Sequence, residues 1–85
     1  MVELNIRRMG LPDRRILMRK KSWFGKLRYS EALLMGYPME KIKLTTRGRQ
    51  LQDAETPEKV GLIDGEVVQV IMEPLSSPQG DTNVA

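Results

Sequence analysis

Residues 36–72 hold a helix stop, two strand patterns, a glycine turn and a second turn that feeds the last strand, all in one continuous run. Gly36 suits the residue just past a helix end, and Pro38, which has no N–H to donate, forbids the helix to continue. Ile42 and Leu44 alternate with Lys41, Lys43 and Thr45, the period of a strand with one face buried. Arg47-Gly48-Arg49 predicts a tight turn into a short segment around Leu51, and Thr56 before Pro57 predicts a single helical turn. Asp64-Gly65 marks the last turn, and Val67, Val68, Val70, Ile71 and Met72 form the most strand-like run of the chain. Apolar side chains on both of its faces predict a central place in the sheet. No residue of the run carries a catalytic pattern.

The residues before it supply the other elements. Val2, Leu4 and Ile6 alternate with Glu3, Asn5 and Arg7 and predict a half-buried first strand. Gly10, Pro12 and Asp13 break it, and an extended pattern over 14–21, around Ile16, Leu17 and Met18, completes a hairpin. Ser22 is the predicted N-cap of a helix running to Met35, with Trp23 and Phe24 opening it over the core and Leu27 and Leu34 near helical spacing. Gly25 in its first turn costs about 1 kcal/mol against Ala, so packing must hold that end. After Glu73 the chain turns polar and rich in Pro, Gly and Ser. The expected organisation is one domain over 1–73 followed by a flexible tail or linker over 74–85.

An 85-residue domain has a small core to work with, because folding at this size buries only about 60–65% of the surface the unfolded chain exposes. Cysteine and histidine are both absent, which excludes a disulfide framework and a thiolate or imidazole metal site, leaving only carboxylates to bind a metal. A catalyst would have to use a carboxylate pair or an activated lysine in a pocket, and a sheet with one helix on one face offers little concavity. Gly36, Gly48 and Gly65 lack phosphate-loop spacing. The chain is therefore read as non-enzymatic, with no catalytic residue, no cofactor and no metal. It begins without an apolar run of signal-peptide length and contains nothing approaching a membrane span, so the expected location is the cytoplasm, the nucleus or both.

Charge is unevenly distributed along the chain. Residues 1–52 contain thirteen basic and four acidic side chains, whereas 53–85 contain one basic and seven acidic, so the net charge of +3 conceals two electrical ends. The densest basic run, 14–28, holds Arg14, Arg15, Arg19, Lys20, Lys21, Lys26 and Arg28 with no acid among them. Such a field attracts acidic peptides or nucleic acid. Nucleic acid is the poorer fit, because base stacking needs exposed aromatics and the chain offers only Trp23, Phe24, Tyr29 and Tyr37, with no RNP-like motif.

The order strand, strand, helix, strand, short strand, one-turn helix, strand is that of a β-grasp, and particular residues make the likeness closer. The chain resembles ubiquitin-like proteins and, among them, SUMO: Gly36-x-Pro38-Met39 after the helix, Gly48 in the turn, Thr56-Pro57 before the short helix, and Gly61-Leu62-x-Asp64-Gly65-Glu66-Val67-Val68-x-Val70 into the last strand. These align without a gap over 22–73. The resemblance implies an α+β fold, a mixed sheet of four to five strands packed on one α-helix plus a one-turn helix.

It also implies sites. In SUMO a groove between the second strand and the helix takes a short apolar peptide as an added strand, with basic residues nearby for flanking acids. The matching positions are Arg15, Ile16, Leu17, Met18, Arg19, Leu27, Glu31 and Leu34; Leu17 and Leu34 stand where SUMO has basic residues and Glu31 at an aromatic position, so preferences should differ. A second candidate surface comprises Thr45, Arg47, Asp64 and Glu66. Asp64 and Glu66 match the acidic turn by which SUMO contacts its conjugating enzyme, Arg47 replaces an acid there, and Thr45 matches the central isoleucine of ubiquitin's recognition patch. Ser76 and Ser77 fall where conjugated members carry Gly-Gly. The expectation is a monomeric interaction domain, itself not conjugated, serving as an adaptor in a ubiquitin- or SUMO-related pathway. Its partners would be proteins, either apolar-acidic peptide motifs or a conjugating or ligase enzyme, with no small-molecule substrate and no membrane. Two alternatives stay open: a modifier conjugated after unusual C-terminal processing, and a basic nucleic-acid-binding β-grasp protein.

Overall fold

The computed structural model describes residues 1–75. Its elements are β1 (Val2–Arg8), β2 (Arg14–Met18), α1 (Phe24–Met35), a 3-10 turn (Met39–Lys41), β3 (Ile42–Thr46), β4 (Arg49–Gln50), α2 (Pro57–Val60) and β5 (Glu66–Met72). The strands form one sheet in the order β2-β1-β5-β3-β4. β1 and β2 are antiparallel, β1 and β5 parallel, and β3 is antiparallel to both β5 and β4. This is the mixed five-stranded β-grasp the resemblance implies. The last strand is central as expected, but only one of its faces is buried: Val68 and Val70 enter the core while Gln69 and Ile71 face solvent.

Strand alternation fills the core. Val2, Leu4 and Ile6 from β1 and Ile42 and Leu44 from β3 meet Phe24, Leu27 and Ala32 from α1. The helix ends where Gly36 and Pro38 predict, with the Tyr37 N–H donating to Ala32 O at 3.0 Å. The Thr56 hydroxyl caps α2 by accepting the Lys59 N–H at 3.1 Å. Between β3 and β4, Arg47 (φ 53°) and Gly48 (φ 76°) are both left-handed, the primed two-residue turn whose twist suits a hairpin.

Three expectations need correction. β2 stops at Met18 instead of reaching residue 21, because its pairing with β1 ends at Val2 opposite Met18. The chain then turns, with the Ser22 N–H donating to Arg19 O at 3.1 Å. Nor does Ser22 cap α1. The N-cap is Trp23, which makes no side-chain bond, and the loop at 52–55 does the capping: the N–H groups of Phe24 and Gly25 donate to Glu55 O and Asp53 O at 2.9 and 3.0 Å. Trp23 consequently does not open the helix over the core with Phe24; it stands 59% exposed. The glycine that helix propensity penalises permits this closure, since a Cβ on Gly25 would lie 3.1 Å from the Asp53 Cβ.

Among the described residues Glu31 is the charged residue of the core. It is fully buried on the sheet-facing side of α1, where the Arg14 guanidinium from β2 donates to its carboxylate. Burial, and then neighbouring Arg8, hold the Arg14 pKa below its ordinary value. Of the expected tail or linker, only Pro74 and Leu75 belong to the described residues, and they lie outside any helix or strand.

Candidate protein-interaction surfaces

β2 is an edge strand: among the described residues nothing pairs with its outer side. A cavity of about 260 Å³ lies between it and α1, lined by Ile16, Leu17, Met18 and Arg19 on the strand side, by Ser22, Lys26, Leu27 and Ser30 on the helix side, and by Met1. Five of the expected groove residues thus come together: Ile16, Leu17, Met18, Arg19 and Leu27. Their roles differ. By strand alternation Ile16 and Met18 turn toward the helix, whereas Arg15 and Leu17 stand on the open face of the sheet, Leu17 at 68% exposure. Leu34 is exposed one helical turn beyond Ser30, past the residues that line the cavity. Glu31 does not belong to the groove, because its carboxylate is enclosed beneath the helix and engaged by Arg14.

Charge on this side is free. Arg19, Lys20, Lys21 and Lys26 form no ion pair among the described residues, and Arg15 reaches only Glu3, at 3.6 Å.

The second surface is differently built. The Asp64 carboxylate accepts the Glu3 N–H at 2.8 Å, and the Gly65 N–H donates to Glu3 O at 2.8 Å, so this turn is fastened to β1. Arg47 donates to the Glu66 carboxylate through Nε at 3.1 Å and to Gly61 O at 3.0 Å. That hydrogen bond holds the Glu66 carboxyl below its ordinary range and the Arg47 guanidinium above its own. Thr45 sits half-buried on the open sheet face, between Gln69 and Gln50. The same habit extends over this side of the molecule. Arg28 grips Asp53 with two bonds of 2.9 and 2.8 Å, Arg49 meets Glu55 at 2.6 Å, and Lys43 meets Glu73 at 2.7 Å. Arg28 and Lys43 depress the carboxyl pKa of Asp53 and Glu73, as the Gln52 N–H and then Arg49 depress that of Glu55. In each pair a base from residues 1–52 meets an acid from 53–85. Folding neutralises much of the charge asymmetry seen along the sequence and, among the described residues, leaves Arg19, Lys20, Lys21 and Lys26 unpaired as a group after β2 and at the start of α1, with Arg8, Lys41 and Lys59 unpaired elsewhere.

A third surface went unread in the sequence. A cavity of about 420 Å³ is lined by Arg7, Met9, Gln69, Val70, Ile71 and Met72. β1 pairs with β5 only as far as Arg8 opposite Val70, so among the described residues the end of β5 has no neighbour on that side. The available signal was Ile71, which alternates with buried Val70 as the next residue on the outer face; reading the strand as apolar on both sides concealed it. Among the described residues no three acidic side chains group to hold a metal ion, and no helix is long and apolar enough to cross a membrane.

No protein-family model matches the chain, and no curated protein matches it. Solved structures do. The ubiquitin of Caldiarchaeum subterraneum matches with a TM-score of 0.81 at 23% identity, over 89% of this chain and 98% of that one. The N-terminal ubiquitin-like domain of the 4931431F19Rik protein matches at 0.77 and 16% identity, over 91% and 79%. ATBAG1, in a complex with HSP70, matches at 0.74 and 20% identity, over 88% of this chain and 42% of that one. At these identities the likeness is one of fold. The SUMO likeness rests on the sequence motifs.

Proposed function

We propose, from the premise that this chain carries the ubiquitin-like β-grasp fold, that it is a non-catalytic interaction module that recruits other proteins by strand addition along β2. The observation that carries this reading is the coincidence, among the described residues, of an unpaired strand edge, an apolar-floored groove and cations without ion pairs on one side of the molecule. An extended segment laid against β2 would gain backbone hydrogen bonds. Its apolar side chains would meet Ile16, Met18 and Leu27 on one face and Leu17 on the other, and acids flanking it would find Arg19 and Lys26. In this reading the chain is an adaptor in a ubiquitin- or SUMO-related pathway of the cytoplasm or nucleus. It is not itself conjugated, since Ser76 and Ser77 occupy the positions of the Gly-Gly.

The test uses a short peptide of apolar residues followed by a run of acids. Leu17→Asp and Lys26→Glu are each expected to weaken its binding about tenfold, a loss of about 1.4 kcal/mol, without lowering the melting temperature appreciably. Unchanged affinity in both variants would reject strand addition at β2. Thioester formation with a ubiquitin- or SUMO-activating enzyme would separately overturn the non-conjugated reading.

The cavity beside Met9 and Ile71 favours a second reading, in which the partner docks on the open sheet face. Loss of binding in Ile71→Asp with full binding in Leu17→Asp would select it.

A further inference from the structure

Helix α1 carries apolar side chains on the wrong face for a lone surface helix. Its sheet-facing side combines Phe24, Leu27 and Ala32 with the buried Glu31, while Tyr29, Leu33 and Leu34 stand 55, 65 and 62% exposed. Positions 26, 29, 30, 33 and 34 follow the i, i+3, i+4, i+7, i+8 spacing that lines a single face of a helix. That spacing ordinarily marks the face turned to the core. Here it is turned to solvent and reads Lys-Tyr-Ser-Leu-Leu. The one acid of the helix is folded inward, so the outer face carries a cation and no anion.

The two flanks of this stripe differ. On one, Gly25 and Arg28 abut Asp53, and Glu40 lines the same cavity as Arg28 and Asp53. The other flank borders the cavity beside β2, and at the N-terminal end of the stripe Lys26 shares a hollow with Lys21 and Trp23; neither lysine is in an ion pair among the described residues. The shape and the charge together define what can cover the stripe. The stripe from Lys26 to Leu34 runs about 12 Å along the axis of α1, room for somewhat more than two turns of a partner helix laid along it.

We propose that the outer face of α1 docks an amphipathic helix of another protein. Apolar side chains of that helix pack against Tyr29, Leu33 and Leu34, and its acidic side chains turn toward Lys21 and Lys26. A second copy of this chain fits less well, because a two-fold contact brings both sets of cations into one interface. An anionic bilayer fits less well too, because a flat surface meets the Asp53 flank along with the lysines. This surface is distinct from the strand edge, although Lys26 borders both.

The probe is a synthetic amphipathic peptide of about fifteen residues, leucines along one face and glutamates along one flank, with a control carrying lysines for the glutamates. Titrated into isotope-labelled protein, the acidic peptide is expected to shift the amides of 26–34. Its binding should weaken with added salt, fall at least tenfold in Leu33→Asp and in Lys26→Glu, and stay unchanged in Leu17→Asp. Leu33→Asp should keep the melting temperature, since Leu33 is outside the core. Equal binding of the lysine peptide would overturn the proposal, as would shifts confined to 16–19. So would dimerisation of the chain alone, or cosedimentation with phosphatidylserine vesicles, if either were lost in Leu33→Asp.

Discussion

The cations around β2 and the start of α1 come from the same basic half of the sequence as Arg28, Lys43, Arg47 and Arg49, yet the fold treats the two sets oppositely. The second set is drawn onto Asp53, Glu73, Glu66 and Glu55, and each of those carboxyls is pulled below its ordinary pKa. The first set is left in water beside a strand edge that is unpaired among the described residues and an apolar groove. A charge engaged within the chain helps define the fold and has less to offer a partner. A charge left free contributes little to stability and keeps its field for steering and specificity. The acidic turn at 64–66, which motif matching marks as a docking element, belongs to the engaged class.

Arg14 probes this division most severely, since it is the cation of β2 whose guanidinium meets a fully buried acid. Arg14→Met leaves the buried Glu31 carboxylate without its partner and should cost about 3 kcal/mol in urea unfolding, the low end for buried pairs because Arg14 remains one-third exposed. Glu31→Met should cost much less, as the freed guanidinium can reach water. Equal losses would mean that the pair does not hold Glu31 in place. Next in size is Gly25→Ala. Helix propensity alone favours alanine by about 1 kcal/mol, but Asp53 is held by Arg28 and by its own carbonyl bond to Gly25, so it cannot yield to the new methyl group. A net loss of about 1 kcal/mol is expected by chemical denaturation; a gain would show that the 52–55 loop gives way.

A smaller effect separates the engaged acids by pH. The folded Glu66 carboxyl titrates below its unfolded value because of Arg47, so its contribution is present above the ordinary glutamate range and is lost as pH falls through the folded pKa. Glu66→Gln should therefore lower the melting temperature modestly at neutral pH, and the gap should close on acidification. A gap independent of pH would point to shape instead of charge. The smallest effects belong to the free cations: Arg19→Gln, Lys20→Gln and Lys21→Gln should each change stability by no more than about 0.5 kcal/mol. The Arg19 and Lys21 changes should also reduce the salt sensitivity of acidic-peptide binding. A larger loss of stability in any of the three would move that residue to the other class.

What the sequence made legible was local. The alternation of Val2, Leu4 and Ile6, the Gly36–Pro38 stop, and the cap from Thr56 onto the turn after Pro57 each depend on neighbours a few residues away, and each stands in the structure where it was read. The misreadings share a cause, which is that the deciding partner is distant in the chain. β2 ends at Met18 because β1 begins opposite it at Val2, α1 starts where the 52–55 loop caps it, and Glu31 is buried because Arg14 lies across from it. Helical spacing alone grouped Trp23 with Phe24, whereas the tertiary cap turned Trp23 outward. Of the candidate surfaces, the β2 edge came from the resemblance. The free or engaged state of each charge became visible only in three dimensions, as did the cavity at Met9 and Ile71.

Backbone amide hydrogen exchange, measured with and without a peptide of apolar residues followed by acids, tests recruitment at the β2 edge most directly. Strand addition requires protection to rise across Arg14–Met18 while the amides of 64–66 stay as they were. Unchanged exchange in β2 with new protection at 64–66 or 69–72 would contradict the account.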